Sequence, residues 1–442
     1  MDRINKKIAI GAFWGFLELL LSRGASIIIT MSLAAFLVPR DFGLVAIVAV
    51  IFELSAVMVN AGFLQALIRA EKVTARQLST AFWGNLAIAA LIYVVVFFAA
   101  SPIAYFFEEP VLESMIKVLG IGILVNALRI VQNAILSREM KFKPQMVAAT
   151  AGVTLSGFIA IAMAKSGFGV WSLVAQMLSS QLIAVSILWK TTGWRPECVF
   201  DRQSFSDIFQ FGKFLLVANV LNVIFKHSYA LVIAKLFSPE LTGLYYFSIK
   251  VTELLSQQIT NALQKATFPA MSTLQNENDE LRGKYRQIIQ LSMFVLAPIM
   301  LILAAVAGPL FGLVFGERWD GAVVYTQILC IVGLLYPVHS LNINVLMVKG
   351  RSDLNLRLNL IKKVIQIAML LVSIPYGVKG IVIGQVASSI LALVPNSYYT
   401  MKLIGYGFGA QMLDAMKPVA CGAISALLAW WVLSLEDGNA FL

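Results

Sequence analysis

The sequence predicts an all-α polytopic membrane protein with about thirteen transmembrane helices, twelve in two six-helix halves and one additional at the C-terminus. Three observations predict it. Of 442 residues, 59% are hydrophobic and only 13% charged, where roughly a quarter is charged in soluble domains. Apolar segments near the ~20 residues that cross a hydrocarbon core follow one another along the chain with short connections. Connections rich in lysine and arginine alternate with connections poor in them. A water-soluble globule is excluded on composition alone.

The first span, 10–37, follows Arg3, Lys6 and Lys7. Its apolar run from Ile8 to Val38 is too long for a signal peptide and lacks a small-x-small cleavage site, so it reads as a membrane helix. Spans 43–66, 79–101, 114–136, 145–164 and 170–189 complete the first half. Spans 209–236, 242–267, 286–315, 322–347, 358–376 and 380–401 form the second, and 414–435 is the additional helix. The expected divisions are residues 1–208, 209–402 and 403–442. Pro39, Pro269, Pro298, Pro309 and Pro375 end or kink helices, and Pro298 inside the ninth span is the best kink candidate.

Counting Lys and Arg in alternate connections gives 22 on the side of Arg3, Lys72, Arg138, Lys349, Lys362 and Lys363 and 6 on the side of Arg40, Lys117 and Arg318. The richer side is cytoplasmic, which puts the N-terminus inside the cell. The formal net charge of +11 is mostly this topology signal. It implies no nucleic-acid partner, and attraction to membrane lipid headgroups is a by-product.

Catalytic patterns are missing from the sequence. Cys198, Cys330 and Cys421 are scattered, giving neither a disulfide framework nor a metal site. There is no GxxxxGK(S/T), HExxH, CxxC or GxSxG, so the expectation is a non-enzyme with no catalytic residues and no cofactor. Glu108, Glu109 and Glu113 form the one acidic cluster of the outer connections and read as a surface cluster.

An internal repeat links the halves. FLVPRDFGL (Phe36 to Leu44) matches LFSPELTGL (Leu236 to Leu244), with Pro39 over Pro239 and Gly43 over Gly243. NALRI followed by Arg138 matches HSLNI followed by Arg351. Six spans per copy make the copies parallel, related by an axis along the membrane normal.

Several spans carry charges near their middle. An ionised side chain at the bilayer centre costs on the order of 3 kcal/mol on insertion scales, so it marks a protein-lined or watery interior. Arg23, Arg129, Lys226 and Lys250 are the candidate cavity cations. Glu18, Glu53 and Glu253 are candidates for ion coupling, gating or neutralising those cations. Residues 3, 4 and 7 apart share a helix face, which adds Asn126 and Asn133 beside Arg129, Asn222 beside Lys226, and Gln257 and Asn261 beside Lys250. His227 and His339 are the only histidines.

The stretches FWGFLE, VPRDFGL, NAGFLQALIR, LSTAFWGNL, LSREMKF, GFGVWSLV, SPELTGLYY, FPAMS, GERW and LNINVLMVKGRSDL, in this order, resemble polysaccharide flippases of the Wzx type. The resemblance is strongest to the colanic-acid branch, within the multidrug/oligosaccharidyl-lipid/polysaccharide exporter superfamily. It runs from the first helix to about residue 405. It implies a V-shaped fold like that of multidrug exporters, with two six-helix lobes across a cavity. It also implies movement of polyprenyl-pyrophosphate-linked oligosaccharide across the bacterial inner membrane for exopolysaccharide, capsule or lipopolysaccharide synthesis. A polysaccharide polymerase and a chain-length regulator are the partners such a flippase would have. Two positions depart from the family: Asn60 in NAGF, where relatives read DGGF, and YYFSIKV, where Lys250 takes the basic role.

A cation-coupled small-molecule antiporter of the same superfamily would need acidic cavity residues, and four cations against three acids lean toward an anionic substrate. A membrane glycosyltransferase or polymerase would need a large outer loop with catalytic carboxylates, and the outer connections here are short.

Overall fold

The computed structural model describes residues 2–60, 62–70 and 73–439, and no strand occurs among them. Lys72 lies outside the described residues, as do the side chains of Arg3, Lys6, Lys7 and Arg69. The helices are α1 (Asp2–Phe36), α2 (Pro39–Asn60), α3 (Phe63–Arg69), α4 (Ala75–Phe107), α5 (Val111–Ala127), α6 (Ile130–Arg138), α7 (Phe142–Lys165) and α8 (Val170–Thr192). They continue with α9 (Arg202–Leu236), α10 (Pro239–Thr273), α11 (Asn278–Phe315), α12 (Asp320–Val348), α13 (Ser352–Ser373), α14 (Gly377–Ile404) and α15 (Phe408–Asn439). Among the described residues, nine segments are long and apolar enough to cross a bilayer, which makes this a multi-pass membrane protein.

Two expected spans are interrupted. The second is split into α2 and α3 at Gly62, whose φ of 80° takes the chain out of the helix, and the fourth into α5 and α6 at Leu128 and Arg129. Other helices run further than expected: α11 begins at Asn278 and α13 at Ser352, so Arg282 and Lys284 are helical, and Lys362 and Lys363, counted with the connections by charge, lie well inside α13. Pro298 and Pro309 both lie inside α11, which continues to Phe315, and α10 continues through residue 269, so these prolines end nothing. Neighbouring helices re-satisfy the backbone groups a proline frees. Pro39 is the first residue of α2, where its missing N–H costs nothing.

Packing divides the chain into two compact units, residues 1–243 and 244–442. In the first, α2 is the inner helix, packed on α4, α5, α8 and α9 and buried continuously from Phe42 to Val48. On one side α1 packs on α7, with Ser22 Oγ hydrogen-bonded to Thr150 Oγ1 at 3.1 Å, and α7 packs on α8. The connection from α8 to α9 is pinned to the first turns of α4. Glu197 N donates to Ser79 Oγ (3.0 Å), Asp201 N to Thr80 Oγ1 (3.0 Å), and Trp83 Nε1 to the Glu197 carbonyl (2.8 Å). Asp201 then caps α9 through Ser204, whose hydroxyl and N–H hold its carboxyl below the usual range. With its entry fixed, α9 packs on α2, α3 and α4, within the first unit by contact although the repeat pattern assigns it to the second half.

The two copies of the repeated motif meet in this unit. A Cβ on Gly43 would lie 1.8 Å from the Pro239 carbonyl oxygen, and one on Gly243 would lie 1.7 Å from the Pro39 carbonyl oxygen. The start of α2 and the start of α10 thus cross backbone to backbone, and each needs the other's glycine.

In the second unit α11 packs on α12 and α15, and α14 on α12, α13 and α15. The core includes Leu281, Tyr285, Ile289, Val338, Leu341 and Val345. The C-terminal helix is integral to it. Gln411 of α15 and Asn342 of α12 exchange amide hydrogen bonds at 2.9 and 3.1 Å, and Thr400 of α14 donates to Asn342 Oδ1 at 2.5 Å. Asp414 of α15 accepts from Arg286 (2.6 Å), Tyr406 (2.7 Å) and Gln290 (3.0 Å).

Both units close a helix end with a cation from a later helix. Arg138 donates to the carbonyls of Leu67 (2.7 Å) and Ala70 (2.5 Å) after α3, while Lys349 bonds the Gln275 carbonyl and Asn278 Oδ1 after α10. A cation there satisfies orphan carbonyls and complements the helix dipole.

Because carbonyl oxygens cannot rotate away as side chains can, Gly43→Ala and Gly243→Ala should each destabilise the purified protein by about 1–3 kcal/mol or more. Thermal unfolding followed by tryptophan fluorescence checks this, with Gly308→Ala, which meets open space, expected to match the parent.

Candidate functional site

The interruption between α5 and α6 sets up the first feature. Breaking a helix at mid-membrane leaves carbonyls without partners, a cost of several kcal/mol each in hydrocarbon. Here the Ala127 carbonyl accepts from Asn85 Nδ2 of α4 at 3.5 Å and the Leu128 carbonyl from Trp189 Nε1 of α8 at 2.8 Å. The break is therefore held, and Arg129 stands at it. Its side chain is half-buried inside an apolar span and, among the described residues, has no hydrogen bond or ion pair. An arginine carries five donors and stays charged. A half-buried one left open is suited to an oxyanion brought in from outside the protein.

The second feature joins α2 to α9. Lys226 Nζ contacts both oxygens of Glu53, at 2.9 and 3.0 Å, and His227 Nε2 lies 2.8 Å from Glu53 Oε2. His227 is buried, whereas the Lys226 and Glu53 side chains are 50% and 38% exposed. Glu53 lies 14 residues into its span, about 21 Å along α2 at 1.5 Å per residue. An accessible ion pair at that depth belongs to a polar interior and not to lipid.

The remaining positions of the first unit are spread over α1, α5, α6 and α9. Arg23 is exposed on α1, and Glu18 is half-buried earlier on the same helix. Asn126 is buried in the last turn of α5, Asn133 is half-buried on α6, and Asn222 is exposed one turn before Lys226. Across the break the Arg129 N–H bonds the Asn126 carbonyl at 3.3 Å and the Asn133 N–H bonds the Arg129 carbonyl at 3.0 Å.

In the second unit α10 presents two stripes. Lys250, Glu253, Gln257 and Asn261 are half-buried along one, with Lys250 5.2 Å from the Tyr246 ring centre and Glu253 acting electrostatically on Tyr336 of α12. Gln264 extends it by donating to Ser340 of α12. The other stripe, Ser248, Thr252, Ser256 and Thr260, is buried, each hydroxyl bonding the carbonyl four residues back. Small hydroxyl residues at that spacing let α12 approach closely, Gly333 facing Ser256. His339 of α12 is hydrogen-bonded to α14, accepting from Asn396 at 2.6 Å and contacting Ser389 at 3.1 Å.

Sequence reading listed Glu53 and Lys226 in separate roles, missed His227 as their third member, and missed the hydroxyl stripe. Spacing within one helix could have shown the stripe. The α2–α9 pairing, between residues 173 positions apart, has no local signal.

Comparison with known proteins follows the same lines. A family model described as polysaccharide biosynthesis protein matches residues 32–324. The Lipopolysaccharide biosynthesis protein WzxC of Escherichia coli K12 is 22% identical over 423 residues, 94% of this chain and 85% of its own. The Teichuronic acid biosynthesis protein TuaB of Bacillus subtilis is 27% identical, covering 67% and 62%, and the Succinoglycan biosynthesis transport protein ExoT of Rhizobium meliloti is 26% identical, covering 71% and 64%. Among solved structures, the lipid II flippase MurJ in an inward closed conformation shares the fold with a TM-score of 0.75 at 12% identity, over 97% of this chain and 93% of that one. An inward-facing multidrug resistance MATE transporter aligns with a TM-score of 0.67 at 16% identity, over 89% and 95%.

Reversing one member of the Glu53–Lys226 pair should destabilise the protein, and exchanging both should restore it. Lys226→Glu and Glu53→Lys should each lower the melting temperature, with the double exchange recovering a coupling of about 0.5–1 kcal/mol in a double-mutant cycle.

Proposed function

The chain belongs to the polysaccharide biosynthesis protein family, and on that premise we propose that it moves polyprenyl-pyrophosphate-linked oligosaccharide repeat units across the bacterial inner membrane by alternating access. The product would feed exopolysaccharide, capsule or lipopolysaccharide synthesis, and the role is transport without catalysis. The observation that carries this reading is Arg129, a half-buried cation held at a helix break inside a membrane span with no partner among the described residues.

A headgroup with two phosphates cannot cross hydrocarbon unaided. An arginine in a wet interior replaces part of its hydration with charge-assisted hydrogen bonds, in a fork geometry that fits phosphate oxygens. Lys226 and Lys250 offer further cations, and the amides Asn126, Asn222, Gln257 and Asn261 offer donors and acceptors that suit sugar hydroxyls. Arg23 is the one exposed cation of this set on α1. Glu18 and Glu253 remain candidates for ion coupling or gating. The names of the relatives WzxC, TuaB and ExoT support a polysaccharide precursor as cargo. With the cation-rich connections inside, the N-terminus is cytoplasmic and the site loads from the face where lipid-linked units are built. A polymerase and a chain-length regulator are the partners that would take up the delivered units.

Deleting the gene should make undecaprenyl-linked repeat units accumulate on the cytoplasmic face, while normal export with altered drug sensitivity would sink the reading. Arg129→Ala should reduce export about 10- to 100-fold, the loss expected from removing charge-assisted hydrogen bonds to one phosphate, with membrane insertion unchanged. Polymer yield and membrane protein level, measured in the same cells, decide it.

A further inference from the structure

The Glu53 carboxylate sits where a substrate oxyanion would sit. Both of its oxygens face Lys226 Nζ, at 2.9 and 3.0 Å, and a phosphate arriving at that ammonium would need the same two donor directions. We propose that Glu53 is an internal competitor for the anionic headgroup, holding Lys226 in the ligand-free protein and yielding it when a phosphate binds. This rests on the pyrophosphate reading above and adds how the site lets its cargo go.

Three observations carry it. First, the pair is within reach, since half of the Lys226 side chain and more than a third of Glu53 are exposed. Second, Glu53 has a second anchor that does not depend on Lys226. The buried His227 imidazole is 2.8 Å from Oε2, so the carboxylate stays in place when the ammonium turns to a phosphate and can reclaim it afterwards. Third, the charged side chains of α5 and the next cation of α9 are paired elsewhere. Glu113 and Lys117 of α5 bind each other at 2.6 Å, and Lys235 of α9 binds Glu108 at 3.1 Å. Glu53 and Lys226 carry opposite unit charges that cancel. A second uncompensated cation in the unit that already carries Arg129 would tighten the hold on a diphosphate in every conformation, and tight holding slows release. A carboxylate already in position lowers the affinity without removing the donor. Arg129, in the same unit and with no such partner among the described residues, is the contrasting cation.

The test uses the purified full-length protein and farnesyl pyrophosphate as probe, titrated by calorimetry. Glu53→Gln should bind about three- to ten-fold tighter than the parent, the size expected of a partly exposed ion pair. Lys226→Met should bind more weakly than the parent, and in Glu53→Gln/Lys226→Met the gain should vanish, because the two act through one contact. Glu53→Asp, too short to span the pair, should shift affinity in the same direction and serves where the amide variant is not monodisperse. Affinity unchanged or weakened in both Glu53 variants overturns the proposal, as does a gain that persists without Lys226. Binding by neither parent nor variant also overturns it. The transport reading falls on a different result, the lack of accumulated lipid-linked units in the deletion strain.

Discussion

Within a bilayer every backbone and charged group must find its partner inside the protein or in enclosed water, and this requirement organises the whole structure. It explains why the broken helix between α5 and α6 is flanked by Asn85 and Trp189, which donate to the Ala127 and Leu128 carbonyls. It explains the hydroxyl stripe of α10, where each Ser or Thr bonds the carbonyl four residues back and Ser248 also reaches the Ala322 carbonyl of α12 at 3.0 Å. Arg129, with no side-chain partner among the described residues, and the accessible Glu53–Lys226 pair are the two charged features of the first unit on which the proposed function draws.

The membrane class and the succession of helices were legible because hydropathy over ~20 residues is a local property that tertiary context does not override. Breaks were not. Nothing in GILVNALRIVQNAIL announces that the helix opens at Leu128, since no proline or glycine lies there; the opening depends on an indole delivered from 61 residues away. Helix ends on the cation-rich side were placed too late for a related reason. Arg282 and Lys284 look like loop residues by charge, yet helix α11 begins before them, and long cationic side chains can reach water from a helical backbone.

Candidate site residues were visible one by one, through the cost of charge in apolar spans, while their grouping was hidden. Glu53 read as an acid that neutralises, couples or gates, and Lys226 as a cation that binds substrate; the structure makes them one unit with His227. Opposite charges on separate helices have no spacing rule linking them in sequence, so only the packing of α2 on α9 could reveal the pair. The lesson extends to any polar membrane interior. An inventory of charges counts cations and acids, but function depends on which cations are already occupied.

The crossing of α2 and α10 is made by main-chain atoms on both sides, the carbonyl of one proline against the glycine of the other motif. A clash between side chains can be relieved by trimming either partner, so such contacts drift through compensating replacements. Here neither Gly43 nor Gly243 faces a side chain that could be trimmed. The two positions are therefore closed to second-site suppression, and each can be expected to stay glycine for as long as the other motif keeps its turn.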